Sequence, residues 1–169
     1  MKIFFGAAIQ GASNRKERAA VHKQIIDAIK SCDCAVISEH TTGKDYETTA
    51  NLLEETLGPM PPKGMARTVL IRNKMIELIE GEIDGAIFEV STPSLGTGIE
   101  IAHAYLRPRL GLPAIPVIAL YQKNYWPNNL STMIRGITET EVPGFVVKEY
   151  DEPGNAAKFI PELLGNLVE

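Results

Sequence analysis

The chain has 169 residues, of which 44% are hydrophobic and 22% are charged. This usage is typical of a globular domain and excludes collagen-like, disordered and fibrous chains. The 17 Lys and Arg residues oppose 21 Asp and Glu, and the net charge of −4 argues against a dedicated nucleic-acid surface. No apolar run approaches the ~18 residues of a membrane span, and the apolar N-terminal stretch is too short for a signal segment. We therefore expect one cytoplasmic domain over residues 1–169.

Short apolar runs alternate with longer amphipathic ones, which is the pattern of βαβ units around a parallel sheet. Runs rich in Ile, Val, Phe or Ala predict strands at 2–9, 33–39, 84–90, 116–121 and 145–150. Helical spacing predicts helices at 15–31, 46–57, 66–81, 98–106, 130–137 and 156–168. The prolines of 57–64 predict a rigid loop. The predicted fold class is α/β, with helices on both faces of a five-stranded parallel sheet.

The sequence also bears on metal binding. Cys32 and Cys34 lie one residue apart, where a mutual disulfide would be strained, so we expect two reduced thiols. Two thiols alone do not make a zinc site, and none of the three histidines has partners at a metal-ligand spacing. We expect neither a metal nor a cofactor.

Ligands of open parallel sheets bind beyond the carboxyl ends of the strands, where the strand order reverses. Three segments that follow predicted strands are therefore of interest: 6–14, 91–100 and 122–131. The last contains the only tryptophan, Trp126. Such an aromatic either covers a ligand or packs locally, and local packing is favoured.

The strongest signal is the run from Glu89 to Glu100, in which a strand end leads through glycines into a helix predicted to begin near Gly98. Backbone N–H groups at such a helix start receive anions or sugar oxygens. Gly96 and Gly98 let the backbone approach a ligand, and Ser94 adds a hydroxyl. Glu100 would project from the first helical turn into this hollow.

A structural interpretation of the same residues stays open. Thr97-Gly-Ile-Glu100 is also a capping box, in which Thr97 and Glu100 satisfy each other's backbone donors, and spacing alone favours it. Glu89 is similarly interpreted as a solvated or hydrogen-bonded group at a strand end.

The run Glu89-Val-Ser-Thr-Pro-Ser-Leu-Gly-Thr-Gly-Ile-Glu-Ile-Ala-His-Ala104 resembles the signature of the nucleoside 2-deoxyribosyltransferase superfamily. The closest branch is that of the 2'-deoxynucleoside 5'-phosphate N-hydrolases. Three further pieces agree in order, at 5–11, 38–40 and 130–136, and the resemblance covers most of the chain up to about residue 150. It implies a flavodoxin-like, Rossmann-like three-layer fold. It also implies a homodimer or homotetramer with sites near the interface.

The resemblance further implies cleavage of an N-glycosidic bond through a glycosyl–enzyme ester, with Glu100 as the nucleophile. Serine at position 94, where the transferases tend to have an acid, favours a nucleoside 5'-monophosphate, and Ser131 would reach the phosphate from the neighbouring subunit. The implied substrate-binding residues are Gly6, Ala8, Ile9, Gln10, Gly11, His40, Ser94, Gly96, Gly98, Ser131 and Met133.

Several positions depart from the pattern of that branch. Gln10 stands where arginine is usual, Ala8 where serine is usual, and Phe4 where tyrosine is usual. The aspartate expected to help protonate the leaving base, on the helix before the third strand, is missing. Asn73 has nearly its shape, and Glu77, one turn further on, is a second candidate for its role. Both residues also fit the polar surface of an amphipathic helix.

Three functions follow as hypotheses. The first is an N-glycosidase that hydrolyses (deoxy)nucleoside 5'-monophosphates. The second is a deoxyribosyltransferase that passes the sugar between bases, and the third is a nucleotide-binding or sensing protein with weak catalysis. In each, the expected partner is a nucleoside or nucleoside monophosphate, with no nucleic acid and no membrane.

Overall fold

The computed structural model describes residues 1–9, 14–125 and 129–165. Gln10, Gly11 and Trp126 lie outside the described residues. Within them, five strands form one sheet: β1 Lys2–Ala7, β2 Ala35–Val36, β3 Gly85–Glu89, β4 Val117–Gln122 and β5 Phe145–Tyr150. The helices are α1 Arg15–Lys30, α2 Tyr46–Leu57, α3 Met65–Glu80, α4 Leu95–Tyr105, α5 Thr132–Arg135 and α6 Pro153–Gly165. None of these helices is both long and apolar enough to cross a bilayer.

All neighbouring strands are parallel, and their order is β2-β1-β3-β4-β5. The chain leaves β1 in one direction along the sheet and β3 in the other, so the strand order reverses between these two strands. This is the flavodoxin-like arrangement, which confirms the predicted fold class.

The two faces of the sheet carry separate cores. On one face, α1 and α6 bury a cluster that includes Ile25, Ile87 and Ile160. On the other face, α3 and α4 pack Met75 and Ile101 against strand residues of β1 and β3. The helices α3 and α4 therefore lie on the face of the sheet above β1 and β3, the two strands between which the strand order reverses.

The strand β2 is much shorter than the predicted 33–39. Ile37 still donates its backbone N–H to Ile3 O at 3.1 Å, but the next rung is made by a side chain. The Ser38 hydroxyl accepts from Phe5 N at 2.9 Å and donates to Phe5 O at 2.7 Å. A buried serine thus replaces the backbone ladder and lets the chain leave the sheet edge for a 3₁₀ turn at His40–Thr42.

Candidate active site

A cleft of about 490 Å³ opens at the carboxyl edge of the sheet, between α3 and α4 and beside α2. The end of β1 contributes Ala7 and the following Ile9. The first two turns of α4 form one wall, and side chains of α2 and α3 form the opposite wall. The cleft occupies the place where doubly wound sheets bind their ligands.

Glu100 reaches into this cleft above the paired residues Gly6 and Phe88. A Cβ atom built on Gly6 would lie 3.0 Å from Glu100 Oε2 and 2.6 Å from a ring carbon of Phe88. The absence of a side chain at Gly6 therefore makes the room that the carboxylate occupies.

The Glu100 carboxylate has no hydrogen-bond or ion-pair partner among residues 1–9, 14–125 and 129–165. Burial raises the pKa of Glu100 to about 7, because desolvation disfavours the charged form. A desolvated, unpartnered carboxyl group in a cleft is typical of a functional group rather than of a structural one.

The start of α4 differs from the prediction. The helix begins at Leu95, and Ser94 is its N-cap, with the Ser94 hydroxyl accepting from Thr97 N at 3.3 Å. The prediction of a capping box formed by Thr97 and Glu100 is therefore wrong. Glu100 lies in the second turn of the helix. Because Ser94 satisfies the free amide of Thr97, the Glu100 carboxylate is left available to the cleft.

The structure brings part of the predicted set together. Ile9, His40, Ser94 and Gly96 line the cleft with Glu100, and Gly6 lies directly below the carboxylate. Ala8 is buried next to the cleft without lining it. The remaining described members of the set line a different groove, between α4 and α5: Gly98, Ser131 and Met133.

Asn73 and Glu77 do not reach the cleft. Both are exposed; the Asn73 side chain accepts from Arg72, and Glu77 pairs with Lys74 at 2.7 Å. The face of α3 that lines the cleft carries Ile71 and Met75, and a residue two positions from these points about 200° away around the helix. The surface interpretation of Asn73 and Glu77 is therefore the one that fits their positions.

His40 is a buried neutral side chain of the cleft. Desolvation, and then the neighbouring His22, lower the pKa of His40 to about 4. Its Nδ1 atom has no hydrogen-bond partner within the described residues. The ring therefore offers a ligand a neutral donor or acceptor near the end of β2.

No protein-family model matches the chain. A Thermofilum pendens protein named "Putative 2'-deoxynucleoside 5'-phosphate N-hydrolase 1" is 34% identical over 138 residues, which cover 82% of this chain and 79% of that protein. A Nematostella vectensis protein of the same name is 31% identical over 165 residues, which cover 98% and 92%. The chain belongs to the 2'-deoxynucleoside 5'-phosphate N-hydrolase family.

This member of the N-hydrolase family has a basic wall in its cleft that the sequence interpretation missed. Arg15, Lys63 and Arg67 line the cleft on the side of α2 and α3. Helical spacing would have found one of them, because Arg67 lies four and eight residues before Ile71 and Met75, which share its face.

A second groove, largely apolar, runs between α4 and α5. Leu95 and Met133, which line it, are 92% and 80% exposed. Ser94 and Thr97 line both this groove and the cleft, so the two are adjacent. A contiguous patch of exposed apolar side chains on a folded domain is a candidate interaction surface.

A buried polar network holds the loop that leads into α4. Glu89, fully buried at the end of β3, pairs with Arg18 at 2.6 Å and accepts from Tyr150 at 2.9 Å. Burial alone would raise the pKa of Glu89, but hydrogen bonding from His22 and the Arg18 charge outweigh it and lower the pKa to about 2. Ser91 also donates to Glu89 and accepts from the backbone of β4. Glu89 is thus the hydrogen-bonded group at a strand end that one interpretation predicted.

Proposed function

We propose that this protein hydrolyses the N-glycosidic bond of 2'-deoxynucleoside 5'-monophosphates, with Glu100 as the nucleophile. The observation that carries the proposal is the desolvated Glu100 carboxyl group, which has no partner within the described residues and faces a cleft of about 490 Å³. The two relatives are named for hydrolysis of this class of substrate.

The reaction would proceed in two displacements at the sugar C1'. In the first, an oxygen of the Glu100 carboxylate bonds to C1' while the C1'–N bond breaks and its electron pair leaves with the base. In the second, water attacks C1', the ester bond breaks, and the carboxylate is restored. The products are a free base and 2-deoxyribose 5-phosphate.

The N-terminus of α4 supports binding of the 5'-phosphate. Gly96, in the first turn, presents backbone to the cleft without a side chain, and the N-cap Ser94 adds a hydroxyl beside it. The first turn of an 11-residue helix carries free N–H groups and the positive end of the helix dipole. A phosphate dianion fits this end of the cleft better than a free hydroxyl does.

A homodimer would complete the site. The groove between α4 and α5 exposes Leu95 and Met133 and carries Ser131 on its rim, next to the Ser94 end of the cleft. A second copy that covers this groove would bury both apolar side chains and bring its own Ser131 towards the phosphate. Sedimentation equilibrium would then give a dimer at micromolar protein, whereas a monomer would contradict this part of the proposal.

A slowly turning-over nucleotide-binding protein is the second candidate. It is favoured by the outward positions of Asn73 and Glu77, which leave Glu100 as the one carboxylate among the cleft-lining residues that the structure describes.

The experiment that tests the proposal is incubation with a panel of nucleosides and their 5'-monophosphates, followed by chromatography for free base. We expect base release from the 2'-deoxynucleoside 5'-monophosphates and little from the nucleosides. Tight nucleotide binding without base release over hours would instead establish the second candidate. Addition of a different free base separates hydrolysis from transfer, because only a transferase makes a new nucleotide.

A further inference from the structure

Among the described residues, the cleft has no second carboxylic acid that could protonate the departing base. Glu100 is the one Asp or Glu side chain among its described lining residues. The lining residue His40 is neutral at pH 7, with a pKa of about 4. On α3, the residues that face the cleft near Glu100 are the apolar Ile71 and Met75.

If the proposed function holds, the order of the strands indicates the side of the cleft on which the base would lie. Glu100 lies above Gly6 of β1 and Phe88 of β3, and Ser94 follows β3. With the phosphate at Ser94 and C1' at Glu100, the base points away from β3, towards the side of β2. His40 and the wall made by α2 and α3 stand on that side.

The three basic residues of this wall are held differently. Arg15 is fixed, since it donates from Nε to Gly43 O at 3.3 Å and from Nη2 to the Thr49 hydroxyl. Lys63 lies 5.2 Å above the centre of the Tyr46 ring. Arg67 is partly buried and has no hydrogen bond, ion pair or ring contact within the described residues.

The Arg67 guanidinium thus retains its full capacity to pair with an anion. A partly desolvated cation gains most from a negative charge that develops beside it inside a cleft. In the first displacement, the negative charge of the Glu100 carboxylate is consumed by ester formation, and one negative charge passes with the bonding electrons to the base. Charge therefore moves across the cleft from Glu100 towards the basic wall.

We propose that Arg67, aided by Arg15 and Lys63, stabilises the leaving base as an anion and so replaces the general acid. The C1'–N electron pair stays on the base nitrogen, and the base takes a proton from water after it departs. This rests on the proposed function and adds a catalytic residue and a substrate preference to it. Guanidinium and ammonium groups only donate hydrogen bonds. The wall therefore selects bases with two carbonyl oxygens and a stable anion, such as uracils, over cytosine, which carries an amino group in place of one carbonyl.

The test measures single-turnover base release from deoxyuridine 5'-monophosphates that carry 5-fluoro, 5-hydrogen or 5-methyl groups, in order of falling base acidity. Without proton donation, the rate rises nearly in proportion to base acidity, roughly tenfold for each unit by which the leaving-group pKa falls. A shallow dependence would show that a group of the protein donates a proton, and would overturn the inference while leaving the proposed function intact. No base release from any nucleotide would overturn the proposed function itself.

The variant Arg67→Met should slow the chemical step by about 10²-fold or more with the uracil substrate, as expected when one charged donor is removed. Arg67→Lys should restore part of the rate. The matched control is Arg72→Met on the exposed face of the same helix, which should leave the rate unchanged. Equal losses in both variants, or none in Arg67→Met, would refute the assignment. Circular dichroism shows whether each variant is folded, and the leaving-group series on the unaltered protein needs no variant.

Discussion

Glu100→Gln removes the carboxyl group on which the proposed site depends. Comparing the pH dependence of the unfolding free energy of this variant with that of the wild type should show whether the Glu100 carboxyl group is desolvated. The pKa of Glu100 is about 7 in the folded protein, against an ordinary value of 4.5 that the unfolded chain would retain. Because the folded pKa is the higher one, the contribution of this group to stability is fully present below pH 4.5. It is lost as the pH rises through 7.

The size of this loss follows from the same values. The gap between 4.5 and about 7 corresponds to at most about 3 kcal/mol of unfolding free energy. Glu100 is partly exposed, so solvent screening lowers the expected loss to about 1 to 2 kcal/mol. The glutamine variant has no such loss, and above pH 7 it should gain this much stability relative to the wild type.

The assay is urea unfolding of wild type and Glu100→Gln at pH values from 5 to 9. The control is Glu77→Gln, the same change at an exposed carboxylate on the surface of α3. We expect the difference between wild type and Glu100→Gln to grow across pH 5 to 8, whereas Glu77→Gln follows the wild type. A difference that stays constant over this range would refute the conclusion that the Glu100 carboxylate is desolvated.

Four further predictions concern the site and its support. The kcat/KM for base release should rise with pH through about 7, because only ionised Glu100 attacks C1'; a flat profile over pH 5 to 9 would contradict this. Gly6→Ala should cost roughly 1 to 3 kcal/mol in thermal unfolding and most of the activity, whereas Gly154→Ala, whose Cβ meets nothing within 4 Å, should cost neither. Arg18→Met should cost about 3 to 5 kcal/mol in urea unfolding because Glu89 then lacks its buried cation, and a cost below about 1 kcal/mol would count against the pair. In the wild type, the stability from Glu89, whose pKa is about 2, is present above pH 4.5 and is lost as the pH falls towards 2, and unfolding at acid pH checks this.

The sequence predicted those elements whose ends depend on local signals. The predicted bounds of α2 and β5 match the structure. The Asp45 cap begins α2, and Gly144 and Asp151 flank the run of β-branched and aromatic residues in β5. The bounds of β2 and α4 were wrong because single hydroxyl groups decide them. The Ser38 hydroxyl replaces a rung of the ladder, and Ser94, rather than Thr97, is the N-cap of α4.

The site was predictable only in part for a related reason. The resemblance pointed to Glu100, which the structure places in the cleft with no hydrogen-bond partner among the described residues. Whether Asn73 or Glu77 could act as the acid depended on how α3 is oriented about its own axis, which the sequence does not give. That orientation is set by packing of Met75 and Ile79 against α4, and it turns both polar candidates to solvent. The same orientation brings Arg67 into the cleft.

Single-turnover base release from a deoxynucleoside 5'-monophosphate by wild type and Glu100→Gln tests the role of Glu100 most directly. If the carboxylate forms the bond to C1', the variant should bind the nucleotide, remain folded, and release base about 10³-fold more slowly or worse. Glu77→Gln should match the wild type. Release by Glu100→Gln within about tenfold of the wild-type rate would contradict nucleophilic attack by Glu100.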